Sequence, residues 1–195
     1  MTVHRHKKKQ QNRSKVAALA LIGAGLLLLG VVALVALPRP GATAESAGER
    51  SAIPMEVNFP APELNLTDLE GNPVSLQELQ GTVVLVNNWA TWCPPCKAEM
   101  PALQAYFEDH HKKGFTIVAV DAGDPVPEIV KFVQEYGLTF PVWPDVTMKA
   151  IAAFRNQGLP SSYVIDRDGT VRLAWAGAVS RDVLEEYVTP LLKEE

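Results

Sequence analysis

The sequence predicts an α/β domain carried behind a membrane anchor, and three observations support that expectation. Strand-like and helix-like patterns alternate from Val57 onward, which is the ordering of an α/β domain. A stretch of 22 positions without a charge, Val16 to Leu37, follows a basic tail. The only two cysteines, Cys93 and Cys96, stand three positions apart and follow the apolar run Val83 to Val86.

The N-terminal region sets the location. Residues 1–15 hold Arg5, Lys7, Lys8, Lys9, Arg13 and Lys15 and no acidic residue. As a helix, residues 16–37 would be about 33 Å long, enough to cross a hydrocarbon core of about 30 Å. The basic residues ahead of it should stay cytoplasmic, so the C-terminal part is expected outside a bacterial cytoplasmic membrane, on a single-pass anchor. Ala42-Thr43-Ala44 has the small-x-small look of a cleavage site, which makes a cleaved signal peptide the competing reading. The apolar region is longer than the roughly 7 to 15 residues of such signals, and Pro38 and Pro40 intervene, so an uncleaved anchor is favoured.

Beyond Leu37 lie all 22 acidic residues and only 12 of the 18 basic ones, a net charge of −10. Nucleic acid is therefore excluded as the expected partner, since phosphate binding needs basic residues. Residues 38–56 are rich in Pro, Gly, Ala and Ser without apolar periodicity and read as a flexible tether with an end-to-end distance of roughly 25 Å. Residues 57–195 suit one domain with a full core. A monomer is expected.

Within that domain, Leu64 to Leu66 and Pro73 to Leu76 flank the turn Asp68–Asn72, which predicts a short hairpin. Val83 to Asn88 reads as a central strand covered on both faces. A helix from near Cys93 to about His111 follows from the spacing of Met100, Leu103, Tyr106 and Phe107, with a kink expected at Pro101. Phe115 to Val120 is a second buried strand, followed by a helix from about Pro125 to Tyr136 that stops at Gly137. A short helix is expected between Thr147 and Phe154. Ser161 to Ile165 and Val171 to Trp175 flank Asp166-Arg167-Asp168-Gly169, a hairpin signal. A last helix is expected from Ser180, as its cap, to Leu192.

Trp92-Cys93-Pro94-Pro95-Cys96 then sits at a helix start. Two cysteines at this spacing can close a disulfide, and a helix N-terminus favours the thiolate of the first. Such a pair can cycle between disulfide and dithiol. Cys93, nearer the helix end and expected to be the more exposed, is the candidate attacking thiolate, and Cys96 the resolving thiol. Pro94 and Pro95 lack amide hydrogens and remove potential donors to the Cys93 sulfur. Glu99, three positions after Cys96, shares its helical face and is a candidate for handling the Cys96 proton. A static disulfide is the plain alternative. A zinc site needs about four ligands, which one cysteine pair and scattered histidines do not supply, so no metal is expected. Nor is any other cofactor, because no glycine-rich dinucleotide fingerprint is present. Asn87 and Asn88 are read as capping backbone groups at the strand end. Trp89, Trp143 and Trp175 are read as packing residues, Trp92 as part of a docking rim, and His110-His111-Lys112-Lys113 as cations at a helix C-terminus.

Ala90-Thr91-Trp92-Cys93-Pro94-Pro95-Cys96-Lys97 after a buried strand, with Gly158-Leu159-Pro160-Ser161-Ser162-Tyr163-Val164-Ile165-Asp166 at the start of a later one, resembles the thioredoxin superfamily. Within it the chain is similar to the membrane-anchored TlpA and ResA type of thiol-disulfide oxidoreductase. The resemblance covers about Phe59 to Leu192, and Leu76 to Gly81 shares it. It implies a thioredoxin fold, a central mixed sheet flanked by helices, with an added N-terminal hairpin and an inserted strand and helix in Asp121–Trp143. It implies that Pro160 is cis, that Leu159 and Pro160 line the substrate face with Trp92, Pro94 and Pro95, and that Glu99 is functional. Thioredoxin has a buried Asp where this chain has Asn87, and the group more often shows Phe where Asn88 stands.

The resemblance further implies reduction of disulfides in exported proteins, such as apocytochrome c, in cytochrome c maturation. A membrane electron donor relaying from cytosolic thioredoxin would recharge the pair. Two other functions share the fold. A peroxiredoxin-type thiol peroxidase needs a Thr or Ser three positions and a Pro seven positions before its cysteine, where Ala90 and Val86 stand here. A copper-carrying assembly protein needs wider cysteine spacing and a distal histidine, yet no histidine follows His111.

Overall fold

The computed structural model describes residues 51–155 and 158–193. The basic tail, the apolar segment 16–37 and most of the expected tether lie outside the described residues. The centre of the domain is set by two apolar runs. Val83–Trp89 (β4) is buried at every position and Phe115–Asp121 (β5) at all but Thr116. They pair in parallel from Val83 opposite Phe115 to Trp89 opposite Asp121, and Val142–Pro144 (β6) continues the parallel set beside β5.

On the other side of β4, Ser161–Ile165 (β7) runs antiparallel, followed outward by Thr170–Ala176 (β8) and Met55–Pro60 (β1). The six-stranded order is β1-β8-β7-β4-β5-β6. Asn65–Thr67 (β2) and Pro73–Ser75 (β3) form the separate antiparallel hairpin expected from the sequence. The β7–β8 turn closes because the Asp166 carboxylate accepts the Asp168 and Thr170 amides, while Gly169 adopts a φ of 83°, a region open chiefly to glycine.

Alternation along the strands divides the core into two layers. Val83, Leu85, Ile117 and Ala119 pack with Met100, Leu103, Ile129, Phe132 and Leu184, from Pro94–His110 (α1), Val126–Tyr136 (α2) and Arg181–Tyr187 (α4). Val84, Val86, Val118 and Val120 face the opposite way, against Leu64, Leu76, Ala150 and Phe154, from the N-terminal hairpin region and Lys149–Ala153 (α3). The fold is the thioredoxin-like α/β arrangement implied by the resemblance, with the inserted helix and strand as α2 and β6. Gly137 ends α2 at a φ of 63°, as a left-handed cap should.

Two expectations need correction. Met55 and Glu56, assigned to the tether, belong to β1. That strand is an edge with five of six residues exposed, so no hydropathy alternation marks it, and its ladder to β8 defines it instead. The chain is held earlier still, by the Ala52 amide on the Ala178 carbonyl at 2.7 Å and the Ser180 amide on Ser51 Oγ at 2.8 Å. The last helix is two pieces, α4 and Thr189–Leu192 (α5); Pro190 cannot donate to an upstream carbonyl and its ring crowds the preceding turn. Ser180 does cap α4, accepting from the Val183 amide. Helix α1 runs through Pro101, where the sequence predicts its bend.

Trp89 is fully buried, with its ring 4.6 Å from Phe132, so Trp89→Ala should lower stability by about 3–5 kcal/mol. Ser180→Ala should cost only about 1 kcal/mol, through the lost cap. Equilibrium urea denaturation of the two variants distinguishes the two magnitudes.

Candidate active site

The parallel strands deliver Ala90, Thr91 and Trp92 to the sheet's carboxyl edge, and these three residues lead straight into α1. Backbone bonds shape the segment: Trp89 accepts from the Ala122 amide at 2.8 Å and Ala90 from the Cys93 amide at 3.2 Å. The Thr91 amide donates to Asp124 Oδ2 at 2.7 Å. Cys93 is the N-cap of α1, with extended backbone angles, and Pro94 and Pro95 occupy the first two helical positions. A helix leaves its first amides without intrahelical partners. Here the prolines remove two of them, so Cys96 supplies the first available donor, and its amide reaches Cys93 Sγ at 3.3 Å.

Cys93 and Cys96 are joined as a disulfide, with Cα atoms 5.3 Å apart. The expected difference in exposure is small: Cys93 is 3% exposed and Cys96 fully buried. Apolar neighbours close over the first sulfur as well as the second, and access comes from the rim, where Trp92 is 66% exposed and Pro94, Pro95 and Lys97 are exposed too. The Leu159–Pro160 peptide is cis. Pro160 is buried, its carbonyl accepts the Gly177 amide at 2.9 Å, and Leu159 packs against the cluster that contains both cysteines. The structure thus brings the two motif stretches to one place.

Glu99 lies one turn beyond Cys96 on the buried face and is 1% exposed. Its Oε1 accepts from Asn87 Nδ2 at 2.9 Å and its Oε2 from the Val179 amide at 3.0 Å. Burial nevertheless outweighs these two donors and pushes its carboxyl up to about 7, as desolvation does to a charged form. Asn87 points to α1 because it continues the Val83, Leu85 alternation. Its amide also donates to Ser162 Oγ at 3.0 Å, and Asn88 donates to Ser161 Oγ at 3.2 Å. The serines sit directly opposite on β7. Both asparagines therefore bond side chains across the ladder rather than capping backbone groups, because their side chains leave the two faces of the sheet and never reach its end. Asn87 Oδ1 is buried and has no partner among the described residues. A turn of that amide would offer this oxygen to a protonated Glu99, so the pair can serve the carboxyl in either protonation state.

Other residues fall where packing places them. Trp89, Trp143 and Trp175 are buried. His110 Nε2 lies 3.1 Å from Glu185 Oε1 and its ring 4.4 Å from Tyr106, while His111 Nδ1 meets the Phe107 and Glu108 carbonyls. The sequence reading missed Asp121, Asp124 and Asp145, three buried acids at the ends of β5 and β6. An acid directly after a fully apolar strand is the signal that could have found Asp121 and Asp145.

A model of the AhpC/TSA family matches residues 57–174. Thiol-disulfide oxidoreductase ResA of Bacillus thuringiensis (strain Al Hakam) is 38% identical over 134 residues, covering 69% of this chain and 78% of that protein. ResA of Geobacillus kaustophilus is 34% identical over 140 residues, covering 72% and 79%. Among solved structures, a thiol:disulfide interchange protein of the thioredoxin family from Chlorobium tepidum superposes with a TM-score of 0.64 at 30% identity, covering 71% of this chain and 99% of that one.

Folding raises the Glu99 pKa from 4.5 to about 7, so the folded chain holds this proton more tightly than the unfolded one. The resulting stabilisation is complete below the unfolded value, falls as pH rises, and is gone above the folded value; the span corresponds to about 3 kcal/mol. In Glu99→Gln this component should vanish. Urea denaturation of the oxidised protein across that range should show the native protein losing stability relative to Glu99→Gln, since the other shifted groups titrate in both.

Proposed function

Because this chain belongs to the AhpC/TSA family of the thioredoxin superfamily, as a thiol-disulfide oxidoreductase of the ResA type, we propose that it reduces protein disulfides on the outer side of a bacterial cytoplasmic membrane. The observation that carries the direction is the donor set at Cys93. With Pro94 and Pro95 in the first turn, the Cys96 amide donates alone among the first three helical positions. A thiolate with few donors and little water around it is poorly stabilised. Destabilising the dithiol form relative to the disulfide makes the pair a reductant; DsbA is the opposite case, an oxidant because its reduced form is stabilised.

In the forward reaction the Cys93 thiolate attacks one sulfur of a client disulfide and displaces the other as a thiolate. The mixed disulfide is then broken when the Cys96 thiolate attacks Cys93 Sγ, releasing the second client sulfur. Two electrons and two protons pass to the client, and Cys93–Cys96 closes. Glu99, poised near neutrality one turn from Cys96, takes up the Cys96 proton as that thiol becomes the attacking group. Trp92, Pro94, Pro95 and the Leu159–Pro160 segment frame the client.

The uncharged segment 16–37 and the basic residues before it support an anchor with the domain outside. That compartment is oxidising, so the pair needs a membrane donor passing electrons from cytosolic thioredoxin. Apocytochrome c is the client we propose. Peroxidase chemistry lacks its hydroxyl and proline here, since Ala90 and Val86 occupy those places and both are buried.

The redox potential of the Cys93/Cys96 couple should lie near the thioredoxin value of about −270 mV, and a value near the DsbA figure of about −120 mV would refute the reductant assignment. Cys96→Ser, expressed in the full chain, should accumulate mixed disulfides through Cys93, with exported cytochrome precursors among the trapped proteins.

A further inference from the structure

The carboxyl ends of β4, β5 and β6 fall side by side, with Asp121 opposite Trp89 on one neighbour and opposite Pro144 on the other. Three acids collect there: Asp121 is fully buried, Asp124 is 6% and Asp145 2% exposed. Asp145 is occupied by its own loop, since its Oδ2 accepts the Ala150 amide at 2.7 Å and its Oδ1 the Thr147 hydroxyl at 3.4 Å. The other two lead to the redox loop. The Asp124 amide donates to Asp121 Oδ1 at 2.9 Å, and Asp124 Oδ2 accepts the Thr91 amide at 2.7 Å, two residues before Cys93.

Asp121 Oδ2 is buried with no donor among the described residues. A carboxylate oxygen in that position is costly, and so is a second carboxylate beside it. One proton held between the two carboxyls removes both costs. We propose that Asp121 is a positioning residue for the reaction: the proton it shares with Asp124 keeps Asp124 on the Thr91 amide and so fixes the segment that presents Trp92 and Cys93.

The charged surroundings agree. Burial first, and then the charges of Asp124 and Asp145, push the Asp121 carboxyl up to about 8. Among the described residues no cation opposes them: β4 and the Ala90–Trp92 segment carry no charge, and Lys97 on α1, Glu128 on α2 and Lys149 on α3 are all exposed. When the shared proton leaves, the two carboxylates repel. Asp124, the less buried, is the one that can turn to water, and the Thr91 amide loses its acceptor.

The catalytic consequence rests on the dithiol-exchange reading, whereas the hydrogen-bond relay does not, so the first measurement uses oxidised protein in which no thiol titrates. Hydrogen exchange of the Thr91 amide is followed by NMR from about pH 6 to about pH 10, corrected for base catalysis. Protection should fall by about tenfold or more through a midpoint near 8, as loss of a bond to a charged acceptor implies, and stay flat in Asp121→Asn. That asparagine accepts the Asp124 amide through Oδ1 and donates to the Asp124 carboxylate through Nδ2, with no proton to lose. Asp124→Asn, by the mirror arrangement, should also be flat and serves if Asp121→Asn folds poorly.

In reduction of insulin disulfides, the ratio of native to Asp121→Asn rates should fall by a similar factor above pH 8. A flat Thr91 profile in the native protein, the same fall in either variant, or a rate ratio independent of pH would overturn the proposal. If no disulfide is reduced at any pH, the exchange reading fails, and the Thr91 profile alone then decides whether the relay exists.

Discussion

The ladder between β4 and β5 runs seven residue pairs, from Val83 and Phe115 to Trp89 and Asp121, and both strands are covered on both faces. Sliding one strand by a single residue would turn every side chain to the opposite layer, sending Val84 and Val86 into the places of Leu85 and Asn87. The slip would also turn Asn87 away from Glu99 and Ser162 and leave those buried polar groups unpaired, which forbids it. Because the register cannot move, the two strands end level, and the segments leaving them start at a known height. The redox loop leaves from β4; the acid pair that touches it leaves from β5.

The same ladder explains why polar groups at this end are buried at all. Asn87 is carried inward by the alternation that buries Val83 and Leu85, and it meets Glu99, carried inward by the helical face that buries Cys96 and Met100. Each would be expensive alone in this setting. Together with Ser162 and the Val179 amide they satisfy most of one another's bonding capacity, leaving Asn87 Oδ1 as the spare acceptor. A network of this kind has few acceptable arrangements, so it contributes definition to the site as much as stability.

How much of this could be read beforehand depends on whether the determining contacts are local. The cysteine pair, the prolines between them, Ser180 as a cap and Asp166–Gly169 as a turn act through neighbours a few residues away, and all were legible. Pro160 was legible only through the resemblance, because nothing local distinguishes a cis proline from a trans one. Strand β1 was not, since an exposed edge strand needs no alternation and is defined by its ladder to β8. The sequence puts Asn87 and Asn88 at the right strand end but suggests backbone partners, because the serines that receive them lie on β7, more than 70 residues away. Asp121 and Asp124 are joined locally, three positions apart, but Asp145 reaches them, and Asp124 reaches Thr91, only through the parallel pairing of β4, β5 and β6, a long-range event that leaves no spacing signature in the chain.

The corner formed by Ala178, Val179 and Ser180 serves two ends of the molecule at once. The Val179 amide holds Glu99, and its neighbours on either side hold Ala52 and Ser51, the first described residues of the chain. The point where the polypeptide enters the domain is thus the backbone of the redox site's own floor. Any pull on the backbone at Ser51 and Ala52 arrives there before it reaches the sheet, so the first described residues and the Glu99 carboxyl are mechanically in series.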